Sequence, residues 1–182
     1  MVATFRRARR GDVSATFGAD EHRVLRHLVG EMLELLPADD AADADPLAAA
    51  VGIGTSTERP SDPALARLFP DGYSDDEGAS ADFRRYTEPG LRSAKRARLE
   101  TVLSTLGEEP GKVVLAHDQA EEWLGALNDT RLVLGERLGV TEDLEELVGS
   151  LTEDDPRLGL LWVYDRLTYL QETLVQALWS TS

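Results

Sequence analysis

The sequence predicts a mainly α-helical single domain, a helical bundle carrying a small N-terminal β-hairpin. Three observations lead there. Apolar residues recur at three- and four-residue spacing in several long stretches, the signature of helices with one buried face. Alternation of apolar and polar residues marks the segment before Gly18, and Lys112–Leu115 is a later run suited to a strand. A chain of 182 residues, 42% of them hydrophobic, is long enough for one domain with a proper core and short for two.

Val2 to Phe17 opens the chain as a hairpin. Val13, Ala15 and Phe17 alternate with Ser14 and Thr16, and Arg10-Gly11-Asp12 supplies the turn. Two strands alone are marginal in water, so the hairpin needs a third strand or a covering helix. Lys112-Val-Val-Leu115 is the later run suited to that role, which makes a three-stranded sheet. A first helix spans about Ala19 to Leu36 on the stripe Leu25, Leu28, Met32 and Leu35 or Leu36, and Pro37 ends it. His27 borders that stripe and is expected to be partly buried and hydrogen-bonded.

Within the domain (1–182), residues 1–36 form hairpin plus helix, residues 37–62 a mobile acidic loop, and residues 63–182 the helical core. The loop is rich in Ala, Asp, Gly, Ser, Thr and Pro and lacks aromatics, so it buries too little apolar surface to offset ordering. Asp62-Pro63 is an N-cap followed by a first-turn proline, opening a short helix through Phe69. A long helical region covers about Asp75 to Leu106, with a kink or break at Pro89-Gly90, Thr87 capping the restart, and Gly107 as terminator.

Asp118 with Glu121 resembles a capping pair for the next helix, whose core stripe is Ala120, Trp123, Leu124, Leu127, Leu134 and Leu138. Asn128 and Arg131 sit at or beside its buried edge. Polar groups there must find partners, so Trp123, Asn128 and Arg131 are read as a structural lock fixing how this helix packs. Gly125, Gly135 and Gly139 cost helix propensity, and close approach of another backbone is one reason to tolerate them. A short helix, Glu142 to Val148, follows behind Thr141. The last helix opens at Asp155-Pro156 and runs to about Leu178, with an apolar stripe wide enough for two neighbours. The last two long helices should form the centre of the fold.

Charge is unevenly spread. The net charge is −15, yet residues 83–98 hold six basic groups and one acidic. Such a body repels nucleic acid and anionic membranes at long range. Charge runs are usually solvated faces, but a basic patch on an acidic protein also suits a protein partner. The candidate partner-binding residues are therefore Arg84, Arg85, Arg92, Lys95 and Arg96, joined by Arg6 and Arg7 from the hairpin. Direct DNA binding through the same patch is the alternative, disfavoured by the overall charge and by the lack of aromatics among the arginines.

No catalytic, cofactor-binding or metal-binding residues are assigned. His22, His27 and His117 have no metal-ligand spacing, Gly52-Ile-Gly54 lacks the rest of a phosphate loop, and no serine sits in a nucleophile elbow. The chain has no cysteine, which removes disulfides and thiolate chemistry. No secretory leader and no membrane span are recognised, so a cytoplasmic protein, monomer or homodimer, is expected.

Leu115 to Glu142, through His-Asp-Gln-Ala-Glu-Glu-Trp-Leu-Gly-Ala-Leu-Asn-Asp-Thr-Arg, and Tyr164 to Leu178, Tyr-Asp-Arg-Leu-Thr-Tyr-Leu-Gln-Glu-Thr-Leu, resemble an actinobacterial family long classed as a domain of unknown function. That family includes oxidative-stress regulators of the AosR type. The hairpin, the first helix and Phe83–Arg98 fit the same pattern. The resemblance implies a small cytoplasmic regulator working through partner proteins in transcription, rather than an enzyme. Without cysteine, a thiol–disulfide switch cannot operate in this chain.

Overall fold

Strand β1 (Arg6–Arg7) leads through a 3-10 turn at Arg9–Gly11 into β2 (Val13–Thr16). Gly11 takes φ +88°, a conformation costly for any residue with a Cβ. The computed structural model describes residues 2–37, 58–73, 76–140, 148–149, 151–152 and 154–179, with Arg10 described in its backbone only. The remaining elements are α1 (Ala19–Leu35), α2 (Pro63–Leu68), α3 (Glu77–Leu106), β3 (Lys112–Leu115), α4 (His117–Leu138) and α5 (Arg157–Trp179). The mainly helical architecture with its small sheet is thus as the sequence predicts.

The third strand is the run Lys112–Leu115, as the sequence predicts. Order is β1-β2-β3, antiparallel throughout, with Val13 opposite Leu115 and Thr16 opposite Lys112. Val13, Ala15, Val113 and Leu115 point into the core while Lys112 and Val114 face out. The free edge of β1 is covered by α5: the Phe5 amide donates to Thr173 Oγ1 at 3.2 Å, and Arg166 donates to the Ala3 carbonyl and to Glu21.

Helix α4 is the centre. It packs against α2, α3 and α5, and its Trp123, fully buried, meets Phe5 and Phe17 at ring separations of 5.6 and 5.8 Å. The Trp123 indole N–H donates to Thr105 Oγ1 at 2.7 Å, tying α4 to α3. The start of α4 differs from expectation. The helix begins at His117, and Gln119 Oε1 accepts from the Ala116 amide, so the Asp118–Glu121 pair does not cap it. Its end is a Schellman turn: Gly139 at φ +68° donates to Glu136 O and Val140 to Gly135 O. Gly139 is therefore a terminator. Gly125 accommodates a side chain rather than a backbone, since a Cβ there would lie 2.8 Å from Arg98 Cδ.

Helix α3 runs unbroken through Pro89. Proline removes the amide that would bond the carbonyl of Arg85, a solvent-exposed residue, and the ion pairs Arg84–Glu88 and Glu88–Arg92 bracket the gap. Thr87 caps nothing; its hydroxyl donates to the Phe83 carbonyl. Asp76 is the N-cap, accepting from the Ala79 amide. At the other end the Gly107 carbonyl accepts from Arg26 Nη1 at 2.5 Å and from His22 Nε2 at 3.2 Å, which places donors, one of them cationic, at a helix C-terminus. His22 is thus the buried histidine and His27 is exposed, the reverse of the emphasis in the sequence.

Asp62 accepts from the Ala64 amide as the N-cap of α2. Asp155 accepts from the Arg157 amide at 2.8 Å ahead of α5, and its other oxygen pairs with Arg157 Nη2. The Arg157 side-chain bonds, then its backbone bond, hold the Asp155 carboxyl below the usual range. A depressed folded-state pKa means this cap is complete above the ordinary aspartate range and is lost as pH falls through the lowered value. A carboxyl-carbon NMR titration should find Asp155 titrating below a free aspartate; an ordinary midpoint contradicts the cap. Residues 38–57, most of the proposed acidic loop, and the segment 141–147 that holds most of the short helix lie outside the described residues.

Candidate functional site

The six cations of residues 83–98 do not form an open cationic face. Arg84, 6% exposed, pairs with Asp71 and with Glu88. Arg92 pairs with Glu88 at 2.6 Å and lies over the Phe69 ring. Lys95 Nζ meets Asp129 Oδ1 at 2.7 Å, with both side chains largely buried. Arg96 donates to the Leu33 and Leu36 carbonyls at the end of α1 and pairs with Glu100. Arg98 lies 3.5 Å from Glu122. The charge of these five is turned inward, because carboxylates on α3, on α4 and between α2 and α3 reach them once the helices pack. Of the seven residues read as partner-binding, Arg6, Arg7 and Arg85 are the exposed ones, the first two on β1 and the third on α3. The contiguous docking face expected from the local charge run is corrected accordingly.

The lock divides in two. Trp123 and Arg131 are its working members. Arg131 crosses to α5, donating through Nε to Thr168 Oγ1 at 3.0 Å, through Nη1 to Gln171 Oε1 at 2.5 Å and through Nη2 to Tyr164 OH at 3.5 Å. Its guanidinium also sits 5.3 Å from the Tyr164 ring centroid. Asn128 is half-buried, and its amide has no hydrogen-bond partner among the described residues. It lines a groove. Asp129, one residue on, is the buried polar group that pins α4 to α3 through Lys95.

That groove has a volume of about 450 Å³ and lies where α2, α4 and α5 meet. Arg67, Asn128, Arg131, Gly135, Glu136 and Tyr164 supply most of its wall. A second depression, shallow and apolar, lies between α1 and α5, with Val24, Leu28, Trp162 and Val163 on its sides and the Glu21–Arg166 pair beside it. Trp162 is 57% exposed there, and Leu158 and Leu160 on the first turns of α5 are also exposed. Sequence reasoning missed this surface, since Trp162 falls outside the α5 stripe it read. Among the described residues no group of three or more His, Asp or Glu is placed to hold a metal, and no helix is long and apolar enough to cross a membrane.

The geometry can be set beside known proteins. A model of the family described as domain of unknown function DUF2017 matches residues 2–178. The chain belongs to this family. Among DUF2017-like relatives, the putative oxidative stress regulator AosR of Mycobacterium leprae is 35% identical over 176 residues, covering 88% of this chain and 80% of the relative. The oxidative stress regulator AosR of Mycobacterium tuberculosis H37Rv is 34% identical over 174 residues, covering 87% and 78%. No solved structure matches. The likeness carried by the segments around Trp123 and Tyr164 thus extends over nearly the whole chain, and the relatives' names attach a regulatory role to it.

Proposed function

We propose that this DUF2017 protein is a non-enzymatic cytoplasmic regulator of the stress response that acts by binding another protein, and that the α1–α5 depression is its contact surface. The carrying observation is the exposed Trp162 beside Val24, Leu28 and Val163 in one apolar depression. Contiguous apolar surface rimmed by polar residues is typical of protein contacts, and exposed tryptophan is the side chain most enriched at their energetic centres. The relatives named oxidative stress regulators support the regulatory part of the reading.

Direct DNA binding is the weaker reading. Its cations on α3 already hold carboxylate or carbonyl partners, so docking on phosphates would first break those bonds. Immobilised protein carrying Trp162→Glu should lose the proteins that the unaltered chain retains from a cytoplasmic extract, as identified by mass spectrometry. Its thermal midpoint should stay within about 2 °C, since the side chain is more than half exposed. Retention of the same proteins by both forms contradicts the assignment of that surface.

A further inference from the structure

We propose that the groove between α2, α4 and α5 binds a small organic anion, its carboxylate or phosphoryl head held by Arg131, Asn128 and Arg67 and its apolar body set against Leu132, Val140 and Tyr164. The inference does not rest on the protein-contact surface, which lies on another side of α5.

The first argument is charge accounting. Arg26, Arg84, Arg92, Lys95, Arg96, Arg98 and Arg166 are all withdrawn from solvent to some degree, and each has a carboxylate within 4 Å. Arg131 is equally withdrawn, yet its partners Thr168, Gln171 and Tyr164 are all neutral. In a chain with 34 acidic residues against 19 basic, a half-buried guanidinium without a carboxylate is the exception. A guanidinium has five N–H donors; three are engaged here, so two remain, one on each terminal nitrogen. A planar anion accepting from both would supply the missing charge.

The second argument is the company Arg131 keeps. Asn128 lies one helical turn before it on α4 and brings an unbonded amide to the same wall. Arg67, at the C-terminal end of α2, is exposed and has no hydrogen bond or ion pair among the described residues. The unbonded Asn128 amide, the unpaired Arg67 and the two spare N–H groups of Arg131 thus line one hollow from two helices. The floor is shaped by Gly135, where a Cβ would stand 3.4 Å from Tyr164 Cε2, so a larger residue would fill the space. A volume of about 450 Å³ falls within the usual range for small-molecule sites, and the lining mixes the polar Arg67, Asn128, Arg131 and Glu136 with Leu132, Val140 and Tyr164. The exposed carboxylate of Glu136 stands in the same wall and opposes an anion there.

Isothermal titration with benzoate, phenyl phosphate and inorganic phosphate tests this on the full chain. Saturable binding of benzoate or phenyl phosphate is expected, with inorganic phosphate at least tenfold weaker because it lacks the apolar body. Asn128→Asp, nearly isosteric, should weaken the organic anion about tenfold by placing a like charge beside it, as should Arg67→Glu. Glu136→Gln should tighten it, a gain that a merely structural role of these residues would not produce. Circular dichroism melts of the three variants verify folding, and all three positions are exposed or half-exposed. Absence of saturable binding by both organic probes up to about 10 mM, well weaker than metabolite-range affinities, overturns the proposal. So does binding that none of the three substitutions alters, or preference for inorganic phosphate.

Discussion

Lys95→Ala is expected to destabilise the protein by about 3–5 kcal/mol, the range for removing one member of a buried ion pair. The side chains of Lys95 and Asp129 are 13% and 5% exposed, and the 2.7 Å bond between them joins α3 to α4. Asp129 Oδ2 already has no hydrogen-bond partner, so alanine at 95 would leave the whole carboxylate buried without a counter-charge. Urea unfolding should show a lower midpoint with little change in slope. The double variant Lys95→Met with Asp129→Leu should recover most of the loss, because an apolar pair removes the stranded charge along with its partner. A loss under about 1 kcal/mol would mean the pair is effectively solvated, as surface pairs are. In that case the inward-facing account of the α3 cations would fail.

Trp123→Ala carries an expected cost of similar size, about 3–5 kcal/mol, from lost transfer free energy and the cavity left behind. The indole is fully buried against Phe5, just before β1, and Phe17, just after β2, so one side chain joins the helical layer to the β element. It also holds the Thr105 hydroxyl. Trp123→Phe should cost less, since it keeps aromatic contact while giving up volume and the indole bond; Thr105 keeps its donation to the Thr101 carbonyl at 2.6 Å. If alanine at 123 lowers stability no more than phenylalanine does, the aromatic cluster is not the junction described.

The helices and the third strand were legible because their signals are local. The stripe on α1 and the β-branched run Lys112–Leu115 each need only a short window, and Asp62-Pro63 marks a helix start by itself. His22 was legible in principle too: it continues the buried series Leu25, Val29 and Met32 at helical spacing, whereas His27 falls off it. What no window shows is a partner brought by tertiary packing. Lys95 and Asp129 are 34 positions apart, and Arg84 and Asp71 are 13 apart across a loop. Read locally, the run from Arg84 to Arg98 is six cations with one carboxylate; read in space, five of the six are ion-paired and Arg85 faces out. The same holds for the groove. Asn128 and Arg131 stand out as polar residues at the edge of an apolar stripe, but Arg67 and Tyr164, which complete the wall, come from other helices. Nor does periodicity separate a stripe that is covered from one that is left open: Leu160, read as part of the α5 stripe, is exposed.

The functional account holds that recognition occurs on apolar surface between α1 and α5 while the clustered cations serve the fold. One comparison bears on it most directly: capture of partner proteins, measured side by side for Trp162→Glu and for Arg6→Glu/Arg7→Glu. Loss in the first with retention in the second is the predicted outcome. Retention in the first with loss in the second would contradict it and return recognition to the cationic residues.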